Sequence, residues 1–314
     1  MKDFISMLDA DRLFIENIIS LSAFLKEKVK KGELYRPLEG FTAALIFEKP
    51  STRTRVSFEV GVYQLGGHGV YMDTQSSQLG RGEPIKDTAR VLSRYVDLIV
   101  IRTFGQNRVE ELARYATVPV INALTDEEHP CQVLADLFTI WEYKGRLEGL
   151  KVAYLGDGNN MANSWLIGAA YMGMKFYAAT PPGYEPLPFY VEKAKEIAKE
   201  TGAEIVITHD PIEAVKDADV VYTDVWASMG QEEEAEERKK VFMPYQVNSE
   251  LLKHAKPDFL FMHCLPAHRG EEVTDGVIEG ERSVVWEQAE NRLHTQKALI
   301  LKLVRKSNPF ANPF

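Results

Sequence analysis

The sequence predicts an α/β protein made of two doubly wound parallel-sheet domains with an interdomain cleft. Short runs rich in β-branched residues alternate with helical patterns, as in parallel βαβ units. The alternation runs twice through the chain, and its 314 residues suit two domains of about 150 residues each. Ligands of such sheets bind beyond the carboxyl ends of the strands, so function is expected in the loops that follow strands.

The first half of the chain contains four predicted strands, TAALIF, HGVYM, DLIVIRT and PVINAL. Helical patterns between them cover TRVSFEVGVYQLG, IKDTARVLSRYV and RVEELARYA. A long helix, CQVLADLFTIWEYKG, leads out of this half, and RLEGL links it to the next. We therefore place the first domain at residues 1–147.

The second half repeats the pattern with the strands KVAYLG, KFYAAT, EIVITH, DVVYTDV and FLFMHCL. Its predicted helices include ANSWLIGAAYMG and PFYVEKAKEIAKETG, and the charged run EEEAEERKK (232–240) is typical of a solvated helix face or loop flank. We place the second domain at residues 148–288. Residues 289–314 then form a C-terminal amphipathic helix that is long enough to pack back on the rest of the protein.

Charge and cysteine content narrow the class of protein. With 37 basic and 46 acidic residues the net charge is −9, which argues against nucleic acid or an anionic membrane as a partner. The two cysteines, Cys131 and Cys264, form no disulfide framework and suit a reducing compartment. The first residues lack the apolar core of a signal peptide, and no apolar run reaches the length of a membrane span. We expect a cytoplasmic location.

The segment FEKPSTRTRVSFE (47–59) predicts an anion site at a helix start. Ser51 or Thr52 suits the N-cap, and the exposed N–H groups of a helix N-terminus favour phosphate by about 0.3–2 kcal/mol. Arg53 and Arg55 add full charges that can hold phosphate oxygens. The alternative is a well-capped helix with a solvated basic face. The concentration of hydroxyls and arginines directly after a strand favours the phosphate site.

The segment GDGNNMA (156–162) imitates a dinucleotide-binding turn but lacks its last glycine. The acidic residue that would hold a ribose is also missing around 176–182. A dinucleotide-dependent dehydrogenase is therefore a disfavoured alternative. Asn159 and Asn160 indicate recognition of a polar small molecule instead.

Three further loops follow predicted strands. MHCLPAHRGEE (262–272) contains His263, Cys264 and His268, but their spacing fits no standard zinc pattern, so we predict no metal. HPCQ (129–132) occupies a similar place after a strand, DVWASMG (224–230) again follows a strand, and Asp224 is suited to hold a cationic group. Together these loops are expected to surround one cleft.

The motifs STRTR, HPCQ, DVWASMG, HCLPAHRGEEV and ENR resemble those of ornithine carbamoyltransferases, in the same order and over nearly the whole chain. STRTR and HP-x-Q are shared with the wider carbamoyltransferase family. DVWASMG and HCLP are the narrower signals and favour ornithine over aspartate as the acceptor. The resemblance implies an N-terminal carbamoyl phosphate-binding domain, an ornithine-binding domain and a terminal helix that crosses back to the first domain.

The resemblance also implies the site residues. The carbamoyl phosphate set comprises Ser51, Thr52, Arg53, Thr54, Gln78, Arg102, His129, Pro130, Cys131, Gln132, Cys264, Leu265 and Arg292. The ornithine set comprises Asn160, Asp224, Ser228 and Met229, with Asn159 and Asn163 as alternatives to Asn160. Catalytic roles fall to Arg102, His129, Gln132 and Cys264. Gln78 would reach a neighbouring subunit, which implies a homo-oligomer, a trimer or a multiple of trimers. Cys131 has no assigned role within its motif.

The implied reaction is carbamoyl transfer from carbamoyl phosphate to the δ-amine of L-ornithine, giving L-citrulline and phosphate. It serves arginine biosynthesis, or runs in reverse in arginine catabolism. We expect positioning and desolvation of the amine near Cys264, with the departing phosphate taking the proton and no cofactor taking part. Putrescine, lysine or aspartate as acceptor, and a non-catalytic protein that binds the same small molecules, are the alternatives.

Overall fold

The structure, a computed structural model, describes residues 1–73, 82–227 and 234–304. The predicted site residues Gln78, Ser228 and Met229 lie outside these ranges. The chain forms two compact units, one of Met1–Ala135 with the chain from Glu290 onward, the other of Asp136–Ala289. The predicted domain limits at residues 147 and 288 stay a prediction.

The first unit contains a parallel four-stranded sheet. Its elements are α1 (Arg12–Lys30), β1 (Thr42–Phe47), α2 (Thr52–Gln64), β2 (His68–Asp73), α3 (Ile85–Leu92), β3 (Leu98–Arg102), α4 (Gln106–Tyr115), β4 (Val120–Leu124) and the start of α5 (Pro130–Lys144). The strand order is β2-β1-β3-β4. Chain direction across the sheet therefore reverses between β1 and β3, the position at which doubly wound sheets bind ligands.

The second unit contains a parallel five-stranded sheet of order β7-β6-β5-β8-β9. Its strands are β5 (Lys151–Leu155), β6 (Lys175–Ala179), β7 (Glu204–Thr208), β8 (Val220–Thr223) and β9 (Leu260–His263). Its helices are α6 (Asn160–Tyr171), α7 (Pro188–Thr201), α8 (Pro211–Val215), α9 (Ala235–Phe242), α10 (Ser249–Leu252) and α11 (Asp275–Ile278), followed by the start of α12 (Val285–Val304). Here the order reverses between β5 and β8.

Several strands are buried along almost their whole length, as is usual for parallel sheets in α/β proteins. All residues of β3, β8 and β9 are buried, and so are all but the first of β1 and β5. In the second unit, aromatic side chains pack together at β5 and β8, the strands between which the order reverses. Tyr154 stacks on Tyr222, and Trp165 packs edge-on to Tyr222. The Trp165 indole donates to Asp136 at 3.1 Å, which satisfies its buried N–H.

The predicted fold class is confirmed, and each predicted strand is found at its expected place. Helix α1, which buries Phe14, Ile15 and Ile18, was not among the predicted elements. The predicted helix of residues 85–96 ends earlier, at Leu92, because the chain turns there into β3. The C-terminal helix packs into the first unit from Glu290 onward. Within the described ranges, no helix combines the length and apolar character that crossing a membrane would need.

Candidate active site

The start of α2 has the geometry of an anion site. Ser51 is its N-cap and accepts from the Thr54 N–H at 3.2 Å, which settles the choice between Ser51 and Thr52. The other N–H groups of the first turn carry the positive end of the helix dipole. Thr52 and Arg53 are exposed at this end, whereas Thr54 is buried. The helix start thus offers backbone donors, a hydroxyl and a guanidinium to an anion.

Arg55 takes no part in this helix start. Its guanidinium lies over the Tyr71 ring, 3.5 Å from the centroid, and contacts Glu59 at 3.4 Å. The expectation that Arg55 adds charge for phosphate is therefore wrong in this structure, because the residue lies two positions further round the helix and meets the edge strand β2 instead.

Arg102 and His129 are buried in the same unit. Arg102 ends β3, and its Cα partner is Phe47 at the end of β1, so it lies at the reversal point of the sheet. Burial lowers the pKa of His129 well below its usual value, and the positive charges of Arg292, Arg102 and Arg53 lower it further. His129 is therefore neutral at pH 7. A neutral imidazole among three arginines leaves a strongly cationic pocket, which suits a dianion.

Arg292 joins three separate segments of the first unit. It donates to Gln132 Oε1 at 2.6 Å and to Thr54 Oγ1 at 3.3 Å. With the Gln296 amide oxygen turned towards it, Arg292 also donates to this oxygen at 2.9 and 3.1 Å, while the Gln296 amide nitrogen donates to Ser57 Oγ at 2.6 Å. α2, α5 and α12 are thus tied together by one guanidinium.

The middle of the HPCQ motif, Pro130 and Cys131, has identifiable roles in the fold. Pro130 begins α5, and Cys131 is buried with its thiol donating to the Asn122 carbonyl at 3.3 Å. Burial raises the pKa of Cys131 to about 12. The thiol is therefore protonated at neutral pH and acts as packing and a hydrogen-bond donor.

In the second unit, the turn after β5 is held by Asn159. Its Oδ1 caps α6 by accepting from Met161 N at 2.9 Å, and its Nδ2 donates to Asp224 Oδ2 at 2.8 Å. Asn163 is buried and accepts from the Leu187 N–H at 3.1 Å. Asn160 begins α6 and is half-buried. Asn159 and Asn163 therefore each have a structural bond within the second unit, and Asn160, Asn159 and Asn163 stay alternatives for ligand binding.

Gly158 in this turn is required by the packing of the protein against it. A Cβ at Gly158 would lie 2.2 Å from the backbone of Glu185 and Pro186, so only glycine permits that approach. Gly158 also donates its N–H to the Tyr184 carbonyl at 2.8 Å. The segment 184–186 thus lies against the glycine that would have to admit a pyrophosphate. This packing counts against a dinucleotide.

Asp224 and Cys264 form a carboxylate–thiol pair at the ends of adjacent strands. β8 and β9 pair with Thr223 opposite His263, which brings the residues after both strands together. The Cys264 thiol donates to Asp224 Oδ1 at 3.1 Å. Asp224 is buried and Cys264 is half-buried. The pair offers a negative charge and a sulfur atom beside it to an amine.

His263, considered above as a possible metal ligand, is bonded to protein on both ring nitrogens. Nε2 contacts Glu272 Oε1 at 3.0 Å, and Nδ1 accepts from the Leu265 N–H at 2.8 Å. Its ring lies close enough to Asp224 and Cys264 for the three to form a potential ligand group, and His268, Glu271 and Glu272 form another. The bonds of His263 explain its place in the motif without a metal.

One buried ion pair of the second unit was not predicted from the sequence. Arg238 of α9 is buried and donates to Asp157 Oδ2 at 3.1 Å and to the Trp226 carbonyl at 2.9 Å. Burial raises the pKa of Asp157 to about 6, against the lowering effect of Arg238. The interpretation of 232–240 as a solvated segment is therefore wrong at Arg238. The only signal was an arginine in an acid-rich run, which does not reveal a buried partner.

These arrangements define a two-domain α/β enzyme: one unit carries a cationic helix start for a small dianion, and the other carries a carboxylate–thiol pair. Comparison with known proteins specifies the family. Residues 2–142 match the carbamoyl-P binding domain of aspartate/ornithine carbamoyltransferase, and residues 148–303 match its Asp/Orn binding domain. The chain belongs to the aspartate/ornithine carbamoyltransferase family.

Individual relatives resemble the chain over almost its full length. An ornithine carbamoyltransferase of Anoxybacillus flavithermus is 62% identical over 303 residues, 96% of each chain. An anabolic ornithine carbamoyltransferase of Pyrococcus furiosus is 58% identical over 299 residues, 95% of each chain. A solved ornithine carbamoyltransferase structure from Pyrococcus furiosus has a TM-score of 0.95 at 56% identity and covers 98% of each chain.

Proposed function

We propose that this chain transfers the carbamoyl group of carbamoyl phosphate to the δ-amine of L-ornithine, giving L-citrulline and phosphate. One observation carries the proposal within the structure. Arg292 bonds both Thr54 and Gln132, so the STRTR, HPCQ and ENR segments meet at one point of the first unit. Relatives that match the chain over almost its full length and are named ornithine carbamoyltransferase support ornithine as the acceptor.

Carbamoyl phosphate binds to the first unit through its phosphate. The phosphate lies at the N-terminus of α2, held by N–H groups of the first turn and by the side chains of Ser51, Thr52 and Arg53. Neutralising the phosphate oxygens also makes phosphate a better leaving group. Arg53 is the one full charge among these three side chains, so it contributes most to both effects.

The carbamoyl group lies against the buried residues of the same unit. Arg102, neutral His129 and the Thr54 hydroxyl donate to its carbonyl oxygen, where negative charge develops during the reaction. Gln132 Oε1 accepts from the carbamoyl nitrogen, and its second lone pair remains for Arg292. Because these groups are fixed before the substrate arrives, little reorganisation is needed in the transition state.

The second unit holds the acceptor. Asp224 pairs with the α-amino group of ornithine, and Asn160 hydrogen-bonds to the amino-acid end, with Ser228 and Met229 proposed beside them. The assignment of Cys264 and Leu265 to the carbamoyl phosphate site also stays part of this proposal. Catalytic roles belong to Arg102, His129, Gln132 and Cys264.

Transfer requires a neutral amine, whose pKa in water lies near the 10.4 of lysine. Desolvation beside the half-buried Cys264 favours the neutral form. The amine nitrogen attacks the carbamoyl carbon, a C–N bond forms, and the carbonyl oxygen becomes an oxyanion. Collapse breaks the C–O bond to phosphate, and the departing phosphate takes the amine proton.

We further propose a cytoplasmic homo-oligomer, a trimer or a multiple of trimers, in which Gln78 reaches a neighbouring subunit. Cys131 and Cys264 form no disulfide, which suits a reducing compartment. The anabolic direction, arginine biosynthesis, is supported by the name of the Pyrococcus furiosus relative. Mixing inactive Gln78→Ala and Arg53→Ala chains tests the shared site, because hybrids regain activity only if one subunit completes another.

The reaction is tested by a citrulline-forming assay that compares ornithine, lysine, putrescine and aspartate as acceptors. We expect a strong preference for ornithine, and a loss of about a hundredfold or more in kcat/KM for Arg53→Ala. Arg114→Ala is the matched control, since Arg114 is an exposed cation in the last turn of α4. Preference for another amine would overturn the acceptor assignment, and equal loss in both variants would overturn the role of Arg53.

A further inference from the structure

The last residue of β9, His263, links two parts of the loop that carries Cys264. Its Nδ1 accepts from the Leu265 N–H at 2.8 Å, and its Nε2 lies 3.0 Å from Glu272 Oε1. Both side chains of the His263–Glu272 pair are fully buried. No part of the proposed reaction uses either residue directly.

The tautomer of His263 follows from these partners. The Leu265 N–H is a donor only, so Nδ1 must present its lone pair, and a neutral ring then carries its hydrogen on Nε2. That hydrogen points at the Glu272 carboxylate. Glu272 thus selects the one neutral tautomer that can hold Leu265.

The backbone of Leu265 needs to be held. Its φ is +61°, in the left-handed region that bulky residues rarely adopt. Such a conformation persists only where neighbouring groups fix it. Glu272 Oε1 also accepts from the His268 N–H at 2.6 Å, so one carboxylate oxygen fixes the loop at both Leu265, through His263, and His268.

Cys264 lies between His263 and Leu265, and its thiol donates to Asp224 at 3.1 Å. We propose that Glu272 and His263 are positioning residues that set the Cys264–Leu265 backbone and thereby keep the Cys264 thiol on Asp224. In catalysis this role rests on the proposed function, because it matters only if the acceptor amine is placed beside that pair. The geometric part is independent of the reaction.

Two substitutions of His263 separate this role from simple packing. In His263→Asn, the side-chain oxygen takes the place of Nδ1 and still accepts from the Leu265 N–H. In His263→Gln, the amide instead reaches the place of Nε2 and still bonds Glu272, but the acceptor for Leu265 is lost. Both remove the ring, so a packing role alone would affect the two variants similarly.

The first readout is alkylation of Cys264 by iodoacetamide, followed by mass spectrometry. A thiol beside a carboxylate forms thiolate poorly, so release from Asp224 speeds the reaction. We expect alkylation in His263→Gln to be about tenfold faster than in the wild type and His263→Asn to stay within about twofold. Cys131, buried with its pKa raised to about 12, should stay unmodified and confirms that the fold is intact.

The second readout is kinetic. We expect His263→Gln to lose about tenfold or more in kcat with a smaller change in KM for carbamoyl phosphate, and His263→Asn to lose much less. Glu272→Gln keeps an acceptor for Nε2–H and should resemble His263→Asn, whereas Glu272→Met should resemble His263→Gln. Equal alkylation rates in the two His263 variants would overturn the proposal. The expected alkylation order with no citrulline formed by the wild type would support it and reject the proposed function.

Discussion

Asn159 Nδ2 donates to Asp224 Oδ2 at 2.8 Å, while Asn159 Oδ1 caps α6. One amide therefore performs two tasks, since it starts a helix and orients the carboxylate proposed to bind the α-amino group. The Cys264 thiol occupies the other oxygen of Asp224 at 3.1 Å. Each carboxylate oxygen has its own donor, so Asp224 has one preferred orientation before ornithine binds.

The two tasks of Asn159 can be separated by substitution. Asn159→Ser keeps a capping oxygen but is too short to reach Asp224, and Asn159→Ala loses both bonds. We expect KM for ornithine to rise about tenfold in both variants with little change in KM for carbamoyl phosphate. The free energy of unfolding should fall by about 1 kcal/mol more in Asn159→Ala than in Asn159→Ser. An unchanged ornithine KM in Asn159→Ser would show that the bond to Asp224 is dispensable.

Arg238 is expected to be a main determinant of stability in the second unit. Arg238→Met removes the guanidinium that donates to Asp157 and to the Trp226 carbonyl, and breaking such a buried pair costs about 3–5 kcal/mol. Lys239→Ala is the matched control, because the Lys239–Glu271 pair is partly exposed and worth less than about 1 kcal/mol. Urea unfolding measures both, and similar losses in the two variants would contradict the prediction.

The parts of the molecule that were predictable from the sequence are those encoded locally. The strand runs, an N-cap at Ser51 or Thr52 and the glycine turn at 156–158 follow from neighbouring residues. The bond from Arg292 to Thr54 joins positions 238 apart, and no local pattern gives their distance. The turning of Arg55 onto Tyr71 depends likewise on which strand lies beside α2. The direction of a side chain at a helix end can be predicted only when the element that packs against it is known.

Asp157 should make the protein less stable as pH rises, which is the opposite of the usual effect of a carboxyl group. Its pKa is raised from 3.8 to about 6 by burial, so between these values the folded state binds more protons than the unfolded state. The contribution of Asp157 to the free energy of unfolding therefore falls as pH rises through this window. Asp157→Asn should lack this component. Urea unfolding at several pH values from 4 to 7 checks it, and parallel curves for the two proteins would contradict the prediction.

His129 is expected to act as a neutral hydrogen-bond donor. Since its pKa is well below the usual 6.5, its titration should leave no acidic limb in the rate profile near that value. His129→Ala should lower kcat about a hundredfold, the cost of removing one donor to an oxyanion. His129→Gln, which keeps an N–H, should lose less. A wild-type limb near pH 6.5 that disappears in His129→Gln would show that the imidazole titrates after all.

Lys297 of α12 should weaken the fold at neutral pH. It is buried, its amine donates to Gln64 Oε1 at 2.7 Å, and burial lowers its pKa from 10.5 to about 8. Between these values the unfolded state binds more protons, so the free energy of unfolding rises as pH rises from about 8 to about 10.5.

Lys297→Met removes the charge and keeps most of the side-chain volume that packs against Gly61. We expect this variant to be more stable than the wild type at pH 7, because the cost of burying an ammonium exceeds the gain from one bond to a half-buried amide. The difference should shrink towards pH 10. Lower stability of Lys297→Met at pH 7 would mean that the Gln64 bond outweighs the desolvation of the amine.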